Sequence, residues 1–158
     1  MIDIPQFRKN IIVPALTVIG AHSDAAEELV LGTALQESRL QYIRQLGDGP
    51  ALGFFQMEPA THDDIWTNYL AFQDDLKSKL LTLAAPSNGQ VSSNELIGNM
   101  WYAAAMCRIH YRRVSDPLPQ AGDVPGMAAY WKEFYNTHLG AGTEEEYEEV
   151  WFANMGGD

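Results

Sequence analysis

The chain has one cysteine, Cys107, and no run that reaches the roughly 18 apolar residues of a membrane-spanning helix. One thiol closes no internal disulfide, and no metal-ligand spacing stands beside it. Within Ala103 to Ile109 it reads as a small buried apolar residue, in a chain suited to folding in a reducing compartment. Positive charge is scarce: 10 Lys and Arg stand against 21 Asp and Glu, a net charge of −11. An anionic surface repels phosphate backbones and anionic lipid, so neither nucleic acid nor a membrane is an expected partner. The N-terminus has Asp3 where a signal peptide would be basic, and Pro14 breaks its apolar run, so no signal peptide is expected. Alternating β-branched residues are rare and no repeat recurs at solenoid spacing, which argues against a large sheet. His22, His62, His110 and His138 are scattered without metal-ligand spacing. Neither a metal nor a cofactor is expected.

What is present is enough for a real core. The chain has 158 residues, 46% of them hydrophobic, and a chain this long buries about two-thirds of its unfolded surface. The expectation is one all-α domain over 1–158, with an N-terminal helix over 4–20 and an acidic C-terminal helix over 143–155 added to its core. Pro14 should kink or split the first helix. A second helix is predicted from Asp24 to about Gln45, ended by the Gly47-Asp48-Gly49-Pro50 turn. Ala51 to Met57 reads as a brief extended segment, and Thr61 as the N-cap of a helix through Leu70. Further helical patterns cover 72–83, Ser93 to Arg113 and Gly126 to Thr137. Pro86 to Gly89 and Ser115 to Pro125 are connecting segments. Thr143 followed by three glutamates is an N-cap signal. The acidic run behind it reads as a solvated face that Tyr147 and Trp151 could dock. The four tryptophans read mainly as core, with a sugar-stacking platform as the sharper alternative.

The segment from Gly32 to Asp64 carries the chemistry. Glu37 and Ser38 lie on an apolar helix, a glycine-rich loop follows, and then come Gly53-Phe54-Phe55-Gln56-Met57-Glu58-Pro59. Cleaving an acetal requires a carboxyl that stays protonated near neutral pH, and burial against apolar groups raises a carboxyl pKa. Glu37 is the best candidate if it faces a cleft. As a solvated helix residue it would pair with Arg39 or Arg44 instead, and spacing alone leaves both readings open. Asp48 and Glu58 are further acids, and each has an ordinary reading, as a turn residue and as a partner of the next helix's N-terminus.

The ordered Glu37-Ser38 and Gly53-Phe54-Phe55-Gln56 pattern, with its Pro59-Ala60-Thr61 helix start, resembles the soluble lytic transglycosylases and goose-type lysozymes. The resemblance is close over about thirty residues and loose over Asn99 to Ile109 and Met127 to Tyr130. It implies a lysozyme-like fold and cleavage of the β-1,4 bond between N-acetylmuramic acid and N-acetylglucosamine, with peptidoglycan glycan strands as the partner. Glu37 matches the catalytic acid. Ser38, Gly53, Phe54, Gln56 and Tyr130 match residues on the substrate side, the Gln56 amide being suited to an acetamido group. Phe54 and Phe55 stand where Leu-Met is usual, as core or as part of a sugar subsite. Trp131 stands where an Asn is expected after Tyr130, and Tyr135-Asn136 is an alternative match. A transglycosylase needs the single acid. An inverting hydrolase needs a second carboxylate about 6.5–9.5 Å away, for which Asp48 and Glu58 are the candidates. Without an export signal such an enzyme would reach the wall from a virion or at lysis, which implies a phage or prophage origin and other virion proteins as partners. The alternative is a non-catalytic assembly module with the same fold.

Overall fold

Pro14 deprives the first helical stretch of a backbone donor, and the chain responds by widening a turn. In a computed structural model, which describes residues 1–84, 90–136 and 140–156, α1 (Ile4–Phe7) is capped by Asp3 and runs into a π-helical segment, Arg8–Ile12. The helix resumes as α2 (Val13–Val18), with the Val13 N–H donating to the Arg8 carbonyl. Proline cannot bond the carbonyl four residues back, which is that of Asn10. The Trp101 indole N–H donates to that oxygen at 2.9 Å instead. The break expected at Pro14 is therefore a local change of pitch within a continuous stretch.

Helix α3 (Asp24–Ser38) is capped by Ser23, whose hydroxyl accepts the Ala26 N–H. Every residue from Ala26 to Leu35 except Glu28 is buried. A helix apolar on all sides is a central one, and the π-helical segment Arg8–Ile12, α7, α8 and α9 assemble around it. The expected continuation to Gln45 does not occur. Arg39 and Leu40 adopt left-handed φ values of 54° and 52°, and the Arg39 N–H donates to the Leu35 carbonyl. The Arg39 guanidinium also donates to the carbonyls of Leu35 and Gln36. The chain thus ends the helix with side-chain donors, where a glycine would usually mark the stop.

The segment after α3 contains two isolated β-bridges, Arg44 with Leu52 and Leu52 with Met57, and a tight turn from Gly53 to Gln56. No sheet forms among the described residues, and the fold is all-α. Helix α4 (Pro59–Asn68) begins two residues before the expected Thr61, with Glu58 as N-cap residue and Pro59 in the first turn. A 3₁₀ turn, Leu70–Phe72, leads to α5 (Asp74–Leu81). The single helix expected from Ser93 is two, α6 (Glu95–Gly98) and α7 (Met100–Arg112). They part at Asn99, whose side chain accepts the Tyr102 N–H and caps α7. Helix α8 (Val124–Trp131) continues into a π-helical segment, Lys132–Asn136. Helix α9 (Glu144–Met155) carries a complete capping box between Thr143 and Glu146.

Helix α7 crosses α2, α3 and α4, while α8 and α9 pack on α3 and on each other. Cys107 is fully buried on α7, and burial pushes its thiol up. His62 is also buried, bonded to Asp63 and to the Tyr102 hydroxyl, which accepts the Trp66 indole N–H. At the start of α3 the carboxylate of Glu27 meets Arg8 and His22. Burial acts to raise its pKa, but hydrogen bonds from Arg8 and His22 hold it below the usual value. Among the described residues no helix is long and apolar enough to cross a membrane. The loop expected at Pro86 to Gly89, together with Thr137 and His138, lies outside the described residues.

Candidate active site

The early end of α3 leaves Glu37 in its last turn, at the edge of an open groove of about 710 Å³. One wall is the chain leaving the helix, with Tyr42, Gln45 and Leu46. Gln56, Glu58 and Thr61 continue the lining, and His110, Tyr135, Asn136, Gly140 and Ala141 complete it. Most of the polar lining is neutral, with three glutamine amides, the Asn136 amide and the Thr61 hydroxyl. Such a surface matches an uncharged ligand rich in hydrogen-bonding groups.

Glu37 is partly buried, and burial pushes its carboxyl up to about 7, against the opposing pull of a hydrogen bond from Trp131 and the charge of Arg39. The hydrogen bond comes from the Trp131 indole N–H to Oε1 at 2.9 Å. A carboxyl poised there can give or accept a proton near neutral pH. Neither Arg39 nor Arg44 forms an ion pair with Glu37 among the described residues, so the surface-pair reading does not describe its environment.

Trp131 ends α8 and is 1% exposed. Its ring lies 5.5 Å from that of Tyr147 on α9. Tyr147 fits into the space left by Gly32 of α3, where a Cβ would overlap the tyrosine hydroxyl. Next to Trp131, Lys132 Nζ donates to Asn136 Oδ1 and to the carbonyls of Gly140 and Gly142, at 2.8, 2.9 and 2.7 Å. One ammonium group thus ties together Asn136, Gly140 and Gly142, the first two of which line the groove.

Arg113 bridges the Asp64 carboxylate and His110 Nδ1, at 2.6 and 2.7 Å. Accepting from a guanidinium leaves Nδ1 without a proton, and burial with the Arg113 charge takes His110 down to about 4, against a smaller upward pull from Asp64. His110 meets Tyr135 edge-on at 4.9 Å, and the Tyr135 hydroxyl donates to the Phe55 carbonyl at 2.7 Å.

The residues singled out by the sequence separate into groove and support. Glu37, Ser38, Gln56 and Glu58 line the groove. Ser38 itself is buried, and its hydroxyl donates to Ala34 O and accepts the Leu40 N–H, so it shapes the helix end. Gln56 stands at φ 47° and its amide donates to Gly53 O at 2.9 Å. Gly53 has φ 73°, and a Cβ there would overlap the Leu96 carbonyl. The close approach its glycine permits is therefore to α6. Asp48 is exposed in its turn and does not line the groove. Phe54 belongs to the core, packed edge-on to Phe7 at 5.8 Å, so it is no part of the groove surface. Tyr130 is likewise turned away, its hydroxyl donating to Asp116 O at 3.0 Å, and the alternative match, Tyr135-Asn136, lines the groove.

Sequence reasoning missed Trp131 as the partner of Glu37 and His110 as a groove residue. The one signal for Trp131 was that it departs from the resembled pattern at a matched position. Nothing in the spacing of α7 distinguished His110. Among the described residues no cluster of His, Cys, Asp and Glu could hold a metal ion. In comparisons with protein-family models, curated proteins and solved structures, nothing matches the chain.

Proposed function

We propose that this chain is a peptidoglycan-cleaving muramidase with a lysozyme-like fold, and that Glu37 is its general acid. The observation that carries the reading is a partly buried carboxyl, raised to about 7, at the edge of an open amide-lined groove. The order of Glu37-Ser38 and Gly53 to Gln56 in the sequence supports the same assignment. In this reaction Glu37 gives its proton to the glycosidic oxygen as the bond to the anomeric carbon breaks. In the single-acid case the resulting carboxylate then takes a proton from the muramoyl 6-hydroxyl as it attacks that carbon, whereas in an inverting hydrolysis a second carboxylate takes the proton from the attacking water. If the attacker is the muramoyl 6-hydroxyl, a 1,6-anhydro ring closes, and if it is water, a reducing end forms. Of the two further acids only Glu58 lines the groove, so it is the candidate for activating water in the hydrolytic case.

The test is digestion of purified peptidoglycan, followed by zymogram and mass spectrometry of the ends released. Wild type should clear the gel, and Glu37→Gln should lose activity by at least 100-fold. Because the acid must begin protonated, kcat/KM should fall as pH rises through about 7. Substantial turnover by a folded Glu37→Gln variant would sink the assignment. The charge of −11 favours a second reading, a non-catalytic phage assembly module, because wall polymers are themselves anionic. The same zymogram separates the two, since an assembly module clears nothing.

A further inference from the structure

An indole N–H donates hydrogen bonds and never accepts them. Trp131 Nε1 holds Oε1 of Glu37 at 2.9 Å, so Oε1 must act as acceptor in both protonation states of the carboxyl. In a neutral carboxylic acid the carbonyl oxygen is the better acceptor, which leaves the proton to the other oxygen. We propose that Trp131 is a positioning residue that fixes the transferable proton of Glu37 on Oε2, and that α9 is the element that holds Trp131 in place.

The indole is enclosed from two directions. The Tyr147 ring lies against it at a tilt of 34°, itself seated in the Gly32 slot of α3. Gly142 comes so near that a Cβ there would lie 2.6 Å from the indole Cη2. The Lys132 ammonium pins that glycine through its carbonyl. Rotating the indole away from Glu37 therefore means displacing either α9 or the Lys132-held chain. The other ionisable groups around Glu37 act by charge or proximity. Arg39 at the helix end favours the carboxylate, and Cys107, Tyr111 and Tyr135 keep their protons through burial. His110 and Glu58 stand on the groove walls. Among the described residues none of these donates a hydrogen bond to Glu37, so the indole is its one directional partner.

For catalysis the proposal rests on Glu37 being the acid, but the proton placement can be read with no substrate present. The experiment is an NMR titration from pH 4 to 9 on protein carrying ¹³C in glutamate carboxyls and ¹⁵N in indoles. In the wild type the Trp131 indole resonance should move with the same midpoint as the Glu37 carboxyl carbon. It should stop moving in Glu37→Gln. The indoles of Trp66 and Trp101, bonded to the Tyr102 hydroxyl and the Asn10 carbonyl, should not follow that midpoint. Trp131→Phe keeps a ring against Tyr147 and removes the donor. A hydrogen bond to the charged form favours that form, so the Glu37 midpoint should rise by about one pH unit. If Trp131→Phe does not fold, the wild-type and Glu37→Gln titrations decide the question. An indole resonance that stays flat through the Glu37 midpoint, or a folded Trp131→Phe whose midpoint is unchanged or lowered, overturns the proposal. A flat indole in a protein that clears peptidoglycan overturns the positioning role alone. A co-titrating indole in a protein that clears nothing supports the proton placement and overturns the enzymatic reading.

Discussion

At Glu37 the environment that raises the carboxyl pKa also costs stability. Its folded-state value of about 7 lies above the ordinary 4.5, so the native state binds more protons between those limits. Stability from this group is fully present below about pH 4.5, declines as pH rises, and is lost above about 7. A neutral amide carries no such dependence. Glu37→Gln should therefore be more stable than wild type at pH 8, by about 3 kcal/mol, and indistinguishable from it near pH 4. Urea denaturation at the two pH values reads this, and an equal difference at both would contradict it. Glu37 was singled out in the sequence because Glu37-Ser38 and Gln56 fall in an ordered pattern within one short segment, and its position on the groove follows that expectation. Its partner was not, because the Trp131 indole arrives from 94 residues away. A tryptophan following Ala128, Ala129 and Tyr130 looks the same whether it fills a core or donates a hydrogen bond.

The helices were read well where their ends use ordinary chemistry and poorly where they do not. Thr143 and its glutamates announced the α9 cap. The α3 stop was hidden because Arg39 and Leu40, neither a usual left-handed residue, make the turn. The division at Asn99 was hidden because its cap lies inside an unbroken apolar pattern. The docking of α9 depended on a glycine that no periodicity explains. Gly32 lies mid-helix, where glycine is unfavourable, and its value is the room it gives Tyr147. Gly32→Ala should cost about 2–3 kcal/mol through overpacking, whereas the same exchange in an open helix would be stabilising. Thermal unfolding measures the sign, and a rise in Tm would contradict the proposed fit between α3 and α9.

Charge was legible as a sum, and it constrains the whole molecule more than any one element. With a net charge of −11, the protein would meet an anionic wall polymer against long-range repulsion. Salt screens that repulsion over about 10 Å at 0.1 M. If peptidoglycan is the substrate, the initial rate on it should therefore increase as ionic strength is raised from about 10 to 150 mM, opposite to the behaviour of a basic lysozyme. A rate that falls over that interval would place the substrate-facing charge elsewhere. The separation between Glu37 and Trp131 also sets an order of events during synthesis. A ribosome that has made the first hundred residues has already released the glutamate, but not Trp131 or Tyr147. Until those residues emerge and dock, Glu37 lacks its Trp131 hydrogen bond and the shelter of α8 and α9. If Glu37 is the catalytic acid, the chain carries no premature activity while it is being made, and any truncation before Tyr147 should be catalytically silent.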